Sequence, residues 1–232
     1  MNTFQLPTRP APLTAVLWCV LALGVGVPAE AQVVQLDEGT FEILQNGEPL
    51  GTESFTIRRI GMGAAATIVL QGRTTLGDSE IEPILETSSE WAPLQYRRTL
   101  SGSRDEIVEL VSDGRRYTAI TTNERGEGER EFRPGPVTVV LDADVAFLYH
   151  AVAARSDADV ITVVHPDQGR QARFRVESVD TEGFRLGASS IAVRRIRLSS
   201  GDDVRDILVD DRNRVMAVEI PGRGWIARRL PG

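Results

Sequence analysis

The sequence predicts a mainly β protein: a long antiparallel meander curled into an open or closed barrel, with one inserted α-helix at about residues 142–155. Three observations predict it. Short β-rich runs recur with turn residues between them. In several runs apolar residues alternate with arginine or acid, so that one face is buried and the other wet. The alternation then gives way to a helical period around residue 145.

The first two strands are predicted at Thr40–Leu44 and Ser54–Ile60. They are joined through Asn46-Gly47, a pair that accepts the positive φ of a tight turn. Runs at Ala66–Leu70, Ile81–Trp91 and Leu94–Leu100 continue the pattern, with turns at Gly77-Asp78 and Ala92-Pro93. Glu106–Val111, Tyr117–Thr122 and Glu129–Phe132 extend it, separated by Ser112-Asp113-Gly114 and by the Asn123–Gly128 turn. From Asp142 to Arg155, Val145, Leu148, Tyr149 and Val152 fall at i, i+3, i+4 and i+7, one stripe of a helix. Asp142 or Asp144 is the expected cap, because an acid there accepts hydrogen bonds from unpaired backbone N–H groups. Strands resume at Val160–Val164, Arg170–Val179, Ile191–Leu198, Val204–Val209, Arg214–Ile220 and Trp225–Leu230. A meander this long must curl to hide its edges, and the helix is expected to plug or lid the opening.

A leader precedes this domain. Arg9 supplies the positive charge of the n-region, Leu13–Val27 is uncharged, and Ala29-Glu30-Ala31 offers small residues to a signal peptidase. The expected organisation is a cleavable signal peptide at 1–31 and a single barrel-like domain at 32–232. The apolar run suits a signal better than a membrane-spanning helix, so no stable span is expected after cleavage. The protein is then exported, to the periplasm or the extracellular space. Cys19, the single cysteine, lies in the leader without the small residue before it that lipidation wants. The mature chain therefore has no disulfide, no catalytic thiol and no cysteine-ligated metal.

The net charge is −7, unchanged by loss of the leader because Arg9 and Glu30 cancel. An acidic chain without a basic block has little electrostatic reason to seek nucleic acid or anionic lipid, unless its surface carries a patch of single sign that composition does not reveal. All 26 basic residues are arginine, which excludes Schiff-base and P-loop lysine chemistry.

Phe41-Glu42-Ile43, then Asn46-Gly47 and Gly51-Thr52-Glu53-Ser54-Phe55, resemble the opening hairpin of certain secreted bacterial β-meander families whose function is uncharacterised. The helix segment Val140–Ala154, leading into a strand that ends at Pro166, is similar to their midsection. The ending, Ile207–Asp211, Arg214–Pro221 and Trp225–Arg229, is similar too. The resemblance implies the barrel-like fold of a domain of unknown function, and no catalytic residue transfers with it.

The motifs of chemistry are sparse. His150 and His165 are the only histidines, without metal-ligand spacing, and read most simply as a helix-boundary and a strand-end residue. No nucleophile elbow, Walker loop or dinucleotide fingerprint is present, so neither a catalytic residue, a metal site nor a cofactor is assigned and the chain is not expected to be an enzyme. Asp202-Asp203, Asp206 and Asp210-Asp211 offer oxygen ligands for calcium but match no EF-hand spacing. Arg58-Arg59, Arg97-Arg98, Arg194-Arg195 and Arg228-Arg229 lie in or beside strands, where one of each pair can point inward. They read as solvated pairs first, and as receptors for an anionic head group second.

Two functions follow as expectations. The first is an envelope protein that binds a lipid or other amphipathic ligand inside the curled sheet, with Trp91, Phe147, Leu148 and Trp225 as candidate lining. The second is a structural or protein-interaction module of the envelope, with the interior filled by side chains. The two differ in whether the β interior is hollow.

Overall fold

The computed structural model describes residues 32–232. The leader, including Cys19 and the expected cut after Ala31, lies outside the described residues.

The sheet has fifteen strands. The first arm is a pure meander: β1 (Val33–Gln45), β2 (Glu48–Ile60), β3 (Thr67–Leu76), β4 (Ser79–Ser88), β5 (Pro93–Ser101), β6 (Glu106–Ser112), β7 (Tyr117–Asn123) and β8 (Gly126–Phe132). A short strand, β9 (Thr138–Val140), leads into the helical segment. The second arm comprises β10 (Val160–His165), β11 (Arg170–Leu186), β12 (Ser189–Ser200), β13 (Asp203–Val209), β14 (Val215–Ile220) and β15 (Trp225–Arg229). Sheet order runs from β8 back to β1, then from β15 back to β9. The last strand therefore pairs with the first, Phe41 opposite Arg229 and Gln45 opposite Trp225. All pairings are antiparallel except β9 on β10.

The sheet is open, with β8 and β9 as its edges. Side chains bridge the gap, since Gln171 of β11 donates to the Arg133 carbonyl just past β8 at 2.6 Å. The period-two pattern sets the inside: Phe41 and Ile43 on β1, Phe55 and Ile57 on β2, Leu70 on β3, Leu85 on β4 and Tyr96 on β5 are all buried. The outer half of the β11–β12 hairpin bends at a bulge between Val179 and Thr181. Beyond it Phe184 and Val193 pack with Leu208, Met216 and Ala217 in a second, smaller core.

The interior is filled, not hollow. Residues 139–153 run through the barrel, buried except for the half-buried Ala143 and Asp144. Of the helix expected at 142–155, only Phe147–Tyr149 as a 3-10 turn and α1 (His150–Ala154) are helical. Its start differs for a physical reason. Asp142 does not cap it; the Asp142 carboxylate accepts the Tyr96 hydroxyl at 2.8 Å and lies 3.0 Å from Arg98 Nε, which anchors this stretch to β5 as coil. The cap comes from Glu53 on β2, whose carboxylate accepts the backbone N–H of Ala146 at 2.9 Å and of Phe147 at 2.7 Å. Gly72 on β3 makes room: a Cβ there would lie 2.6 Å from the Phe147 ring. Phe147 stacks on Phe55 at 5.9 Å, and Phe55 on Phe41 at 5.2 Å.

Candidate functional site

One mouth of the barrel carries a cleft of about 440 Å³. Its residues come from six separated stretches: Leu36 and Asp37 of β1, Ile57 and Arg59 of β2, Ile68 of β3, Ser89 and Trp91 of the β4–β5 loop, His150 and Ala154 of α1, and Arg212–Arg214 of the β13–β14 turn. A second cleft of about 480 Å³ adjoins it, sharing Leu36, Asp37, Arg212 and Arg214.

Each wall is set by local chemistry. Leu36 sits in a bulge where the β1–β2 register slips between Gln35 and Asp37, which releases its side chain from the regular alternation. The Trp91 loop is held by Ser88, whose hydroxyl accepts the N–H of Glu90 at 3.2 Å and of Ala92 at 3.3 Å. Trp91 itself takes φ 63°, the left-handed region, where a bulky residue is strained. Strain of this kind persists where the surroundings impose it and collects at binding sites. On the facing side Asp210 organises the turn: it accepts the N–H of Arg212 at 3.0 Å and of Arg214 at 2.8 Å, and its other oxygen accepts Arg214 Nε at 2.7 Å. Asn213, at φ 59°, completes this tight reversal.

The floor is a buried ion network. Arg229 of β15 grips Asp37 with two nitrogens, at 2.7 and 2.8 Å. A Cβ on Gly39 would lie 2.9 Å from that guanidinium, so glycine keeps the space open. His150 Nε2 lies 2.8 Å from the Asp37 carboxylate and Nδ1 2.9 Å from the Phe147 carbonyl. Burial opposes the Asp37 charge, but hydrogen bonds from Arg229 and His150 outweigh it and hold the carboxyl well below the usual carboxylate range. Glu53, deeper in the barrel, behaves in the opposite way. Its burial outweighs three donated hydrogen bonds, including one from Thr74, and pushes its pKa up to about 7.

This arrangement is poor at acid–base catalysis. Ser89 lines the cleft, but its hydroxyl donates to the Ala64 carbonyl. His150 has both ring nitrogens engaged, Nδ1 by the Phe147 carbonyl and Nε2 by the Asp37 carboxylate, so neither is free for an incoming substrate. Three of the five acids considered for calcium are engaged by arginines instead: Asp203 by Arg205, Asp206 by Arg195 and Arg197, and Asp210 by Arg214. Among the described residues no group of three or more acid, histidine or cysteine side chains is placed to hold a metal.

The residues singled out from sequence separate. Trp91 lines the cleft. Phe147, Leu148 and Trp225 are fully buried in the core and line none of the clefts at this mouth. The arginine pairs divide as alternation requires. Arg98 and Arg229 point inward, yet each is matched by internal carboxylates, Arg98 by Glu106 and Asp142, Arg229 by Asp37, so neither is a receptor for a head group. Arg59 is the member of its pair that lines the cleft. Arg212 was not singled out; the signal for it was the Asp210–Arg214 turn, where acids and Asn213 in close succession favour a tight reversal carrying arginines.

No family model matches the chain, and no curated protein matches it. Among solved structures it is similar to a DUF1089 family protein from Pseudomonas aeruginosa, at 13% identity over 93% of this chain and 98% of that one, with a TM-score of 0.38. A likeness at this TM-score carries no argument about activity.

Proposed function

We propose that this chain, after export, binds a small anionic amphiphile in the cleft at the barrel mouth and is not an enzyme. The observation that carries the reading is the pairing of an apolar wall with arginines in one concavity. Leu36, Ile57, Ile68 and Trp91 form the wall, while Arg59 and Arg212 line the same space. Among the described residues neither arginine has a carboxylate within ion-pair distance. A guanidinium without an internal partner pairs readily with a carboxylate or phosphate. About 440 Å³ is the size of a small-molecule site, so the occupant is a single-chain amphiphile and not a bulky multi-chain lipid.

The ligand is placed at the mouth because residues 139–153 already occupy the inside of the sheet. The filled interior also favours the second reading, an envelope interaction module without a small ligand. Titration with a fluorescent anionic fatty-acid probe separates the two. Saturable binding that falls about tenfold or more in Arg59→Ala/Arg212→Ala supports the cleft, at about 1.4 kcal/mol or more for the lost pairing. Absence of probe binding leaves the interaction module.

A further inference from the structure

The rim around this cleft carries a feature that ligand binding does not require. Val33 and Val34 at the start of β1, Ile60 at the end of β2, Met62 in the β2–β3 loop and Leu94 at the start of β5 are exposed large apolar residues gathered at one end of the sheet. Met62 is 71% exposed and Val33 57%, and Val33 and Ile60 face each other in the β1–β2 register. Two hydrogen bonds join the loops into one rim: Gly61 N–H to the Gln32 carbonyl at 2.9 Å, and the Ser89 hydroxyl to the Ala64 carbonyl at 3.3 Å. Arg58 and Arg59 on β2, with Arg212 across the mouth, stand beside these apolar tips. Among the described residues Arg58, like the other two, has no carboxylate partner.

We infer that this rim docks on an anionic lipid bilayer, with Met62, Val33 and Ile60 entering the interface and Arg58, Arg59 and Arg212 pairing with lipid head groups. Apolar tips ringed by uncompensated cations are the composition of an interfacial membrane contact. The chain as a whole carries −7, so its other faces are repelled by an anionic surface and the approach is oriented. Glu90 and Asp211, exposed beside the rim, temper the attraction and keep it reversible. Arg59 belongs to both rim and cleft, so docking brings the cleft mouth against the bilayer. The amphiphile of the proposed function then has a short path between membrane and protein. The docking itself rests on the rim and not on occupancy of the cleft.

The test is flotation of the Gln32–Gly232 body, which contains all fifteen strands and both cores, with vesicles of phosphatidylcholine alone or with about a third phosphatidylglycerol. The protein is expected to float with the mixed vesicles and to release at high salt. Arg58→Ala weakens the association about fivefold, and Ile60→Asp/Met62→Asp abolishes it. Thermal unfolding confirms that each variant folds, and the fatty-acid probe is titrated into the same samples. Probe binding that survives in Arg58→Ala and Met62→Asp while flotation falls separates rim from cleft. Flotation as expected without probe binding sinks the cleft reading and leaves the docking standing. Absence of flotation, flotation unchanged by these variants, or a solution dimer dissociated by Met62→Asp overturns the membrane assignment.

Discussion

Replacing Glu53 by alanine should destabilise the protein strongly in mild acid and much less in mild alkali. The carboxylate is fully buried and accepts the N–H groups of Ala146 and Phe147 and the Thr74 hydroxyl. Its removal orphans two buried backbone donors, each worth about 1–3 kcal/mol, so about 4 kcal/mol is expected at pH 5. The wild type meanwhile carries a titrating penalty. Burial raises the Glu53 pKa from 4.5 to about 7, so between those values the folded state holds a proton that the unfolded chain has released. A raised carboxyl stabilises the fold fully below the unfolded pKa, and this contribution is lost as pH rises through the folded one. The loss from pH 5 to pH 8.5 is about 2.5 kcal/mol for this group, and Glu53→Ala does not have it. The cost of the substitution therefore shrinks to about 1–2 kcal/mol at pH 8.5. Urea unfolding followed by far-UV circular dichroism at both pH values gives the two differences. A cost that is equal at both, or larger at pH 8.5, would refute the argument that Glu53 is held protonated while capping the plug.

Three further outcomes follow from the same packing. Gly72→Ala places a methyl 2.6 Å from both the Phe147 ring and the Ser54 carbonyl, and should cost about 1–3 kcal/mol in urea unfolding by forcing the plug away from β2. Arg229→Ala leaves Asp37 charged and buried; the expected loss is about 3–5 kcal/mol at neutral pH, falling as the solution is acidified and the stranded carboxyl protonates, with Asp37→Leu/Arg229→Met milder than the single change. Trp91→Gly removes a left-handed tryptophan, so stability should change by less than about 1 kcal/mol as strain relief offsets lost contact, while affinity for the fatty-acid probe drops. Parallel melting and titration would show the two effects separating.

Much of the fold was legible because period-two alternation is a direct record of which face is buried. Fourteen of the fifteen strands lie where turn residues and alternation place them, and β9 does not. Thr138–Val140 is three residues long, buried on both faces, and pairs in parallel with a strand beyond the plug, so it leaves neither alternation nor a hairpin turn. The helix start is hidden from the sequence for a related reason. A segment surrounded by barrel on all sides is apolar all round, and a stripe that begins at Val145 says nothing about whether Asp142 caps it or turns to Tyr96 and Arg98.

The inward charges were partly readable. Glu53 shares its face with Phe55 and Ile57, Arg98 with Tyr96 and Leu100, and Arg229 with Trp225 and Ala227, and each proves buried. What alternation does not give is their partners, because Asp37 and Arg229 are 192 residues apart and meet only once β15 closes on β1. The cleft was hidden in the same way. Trp91 stands out in the sequence, but Arg59, Ile68 and Arg212 come from turns and strand ends that only the curl of the sheet assembles.

The most direct test of the central claim is native mass spectrometry, followed by solvent extraction, on protein purified without detergent from cells that make it. Binding at the mouth predicts one single-chain anionic amphiphile per protein, lost in Arg59→Ala/Arg212→Ala. A ligand-free wild type that also ignores added fatty acid, or one whose bound lipid survives both substitutions, would contradict it.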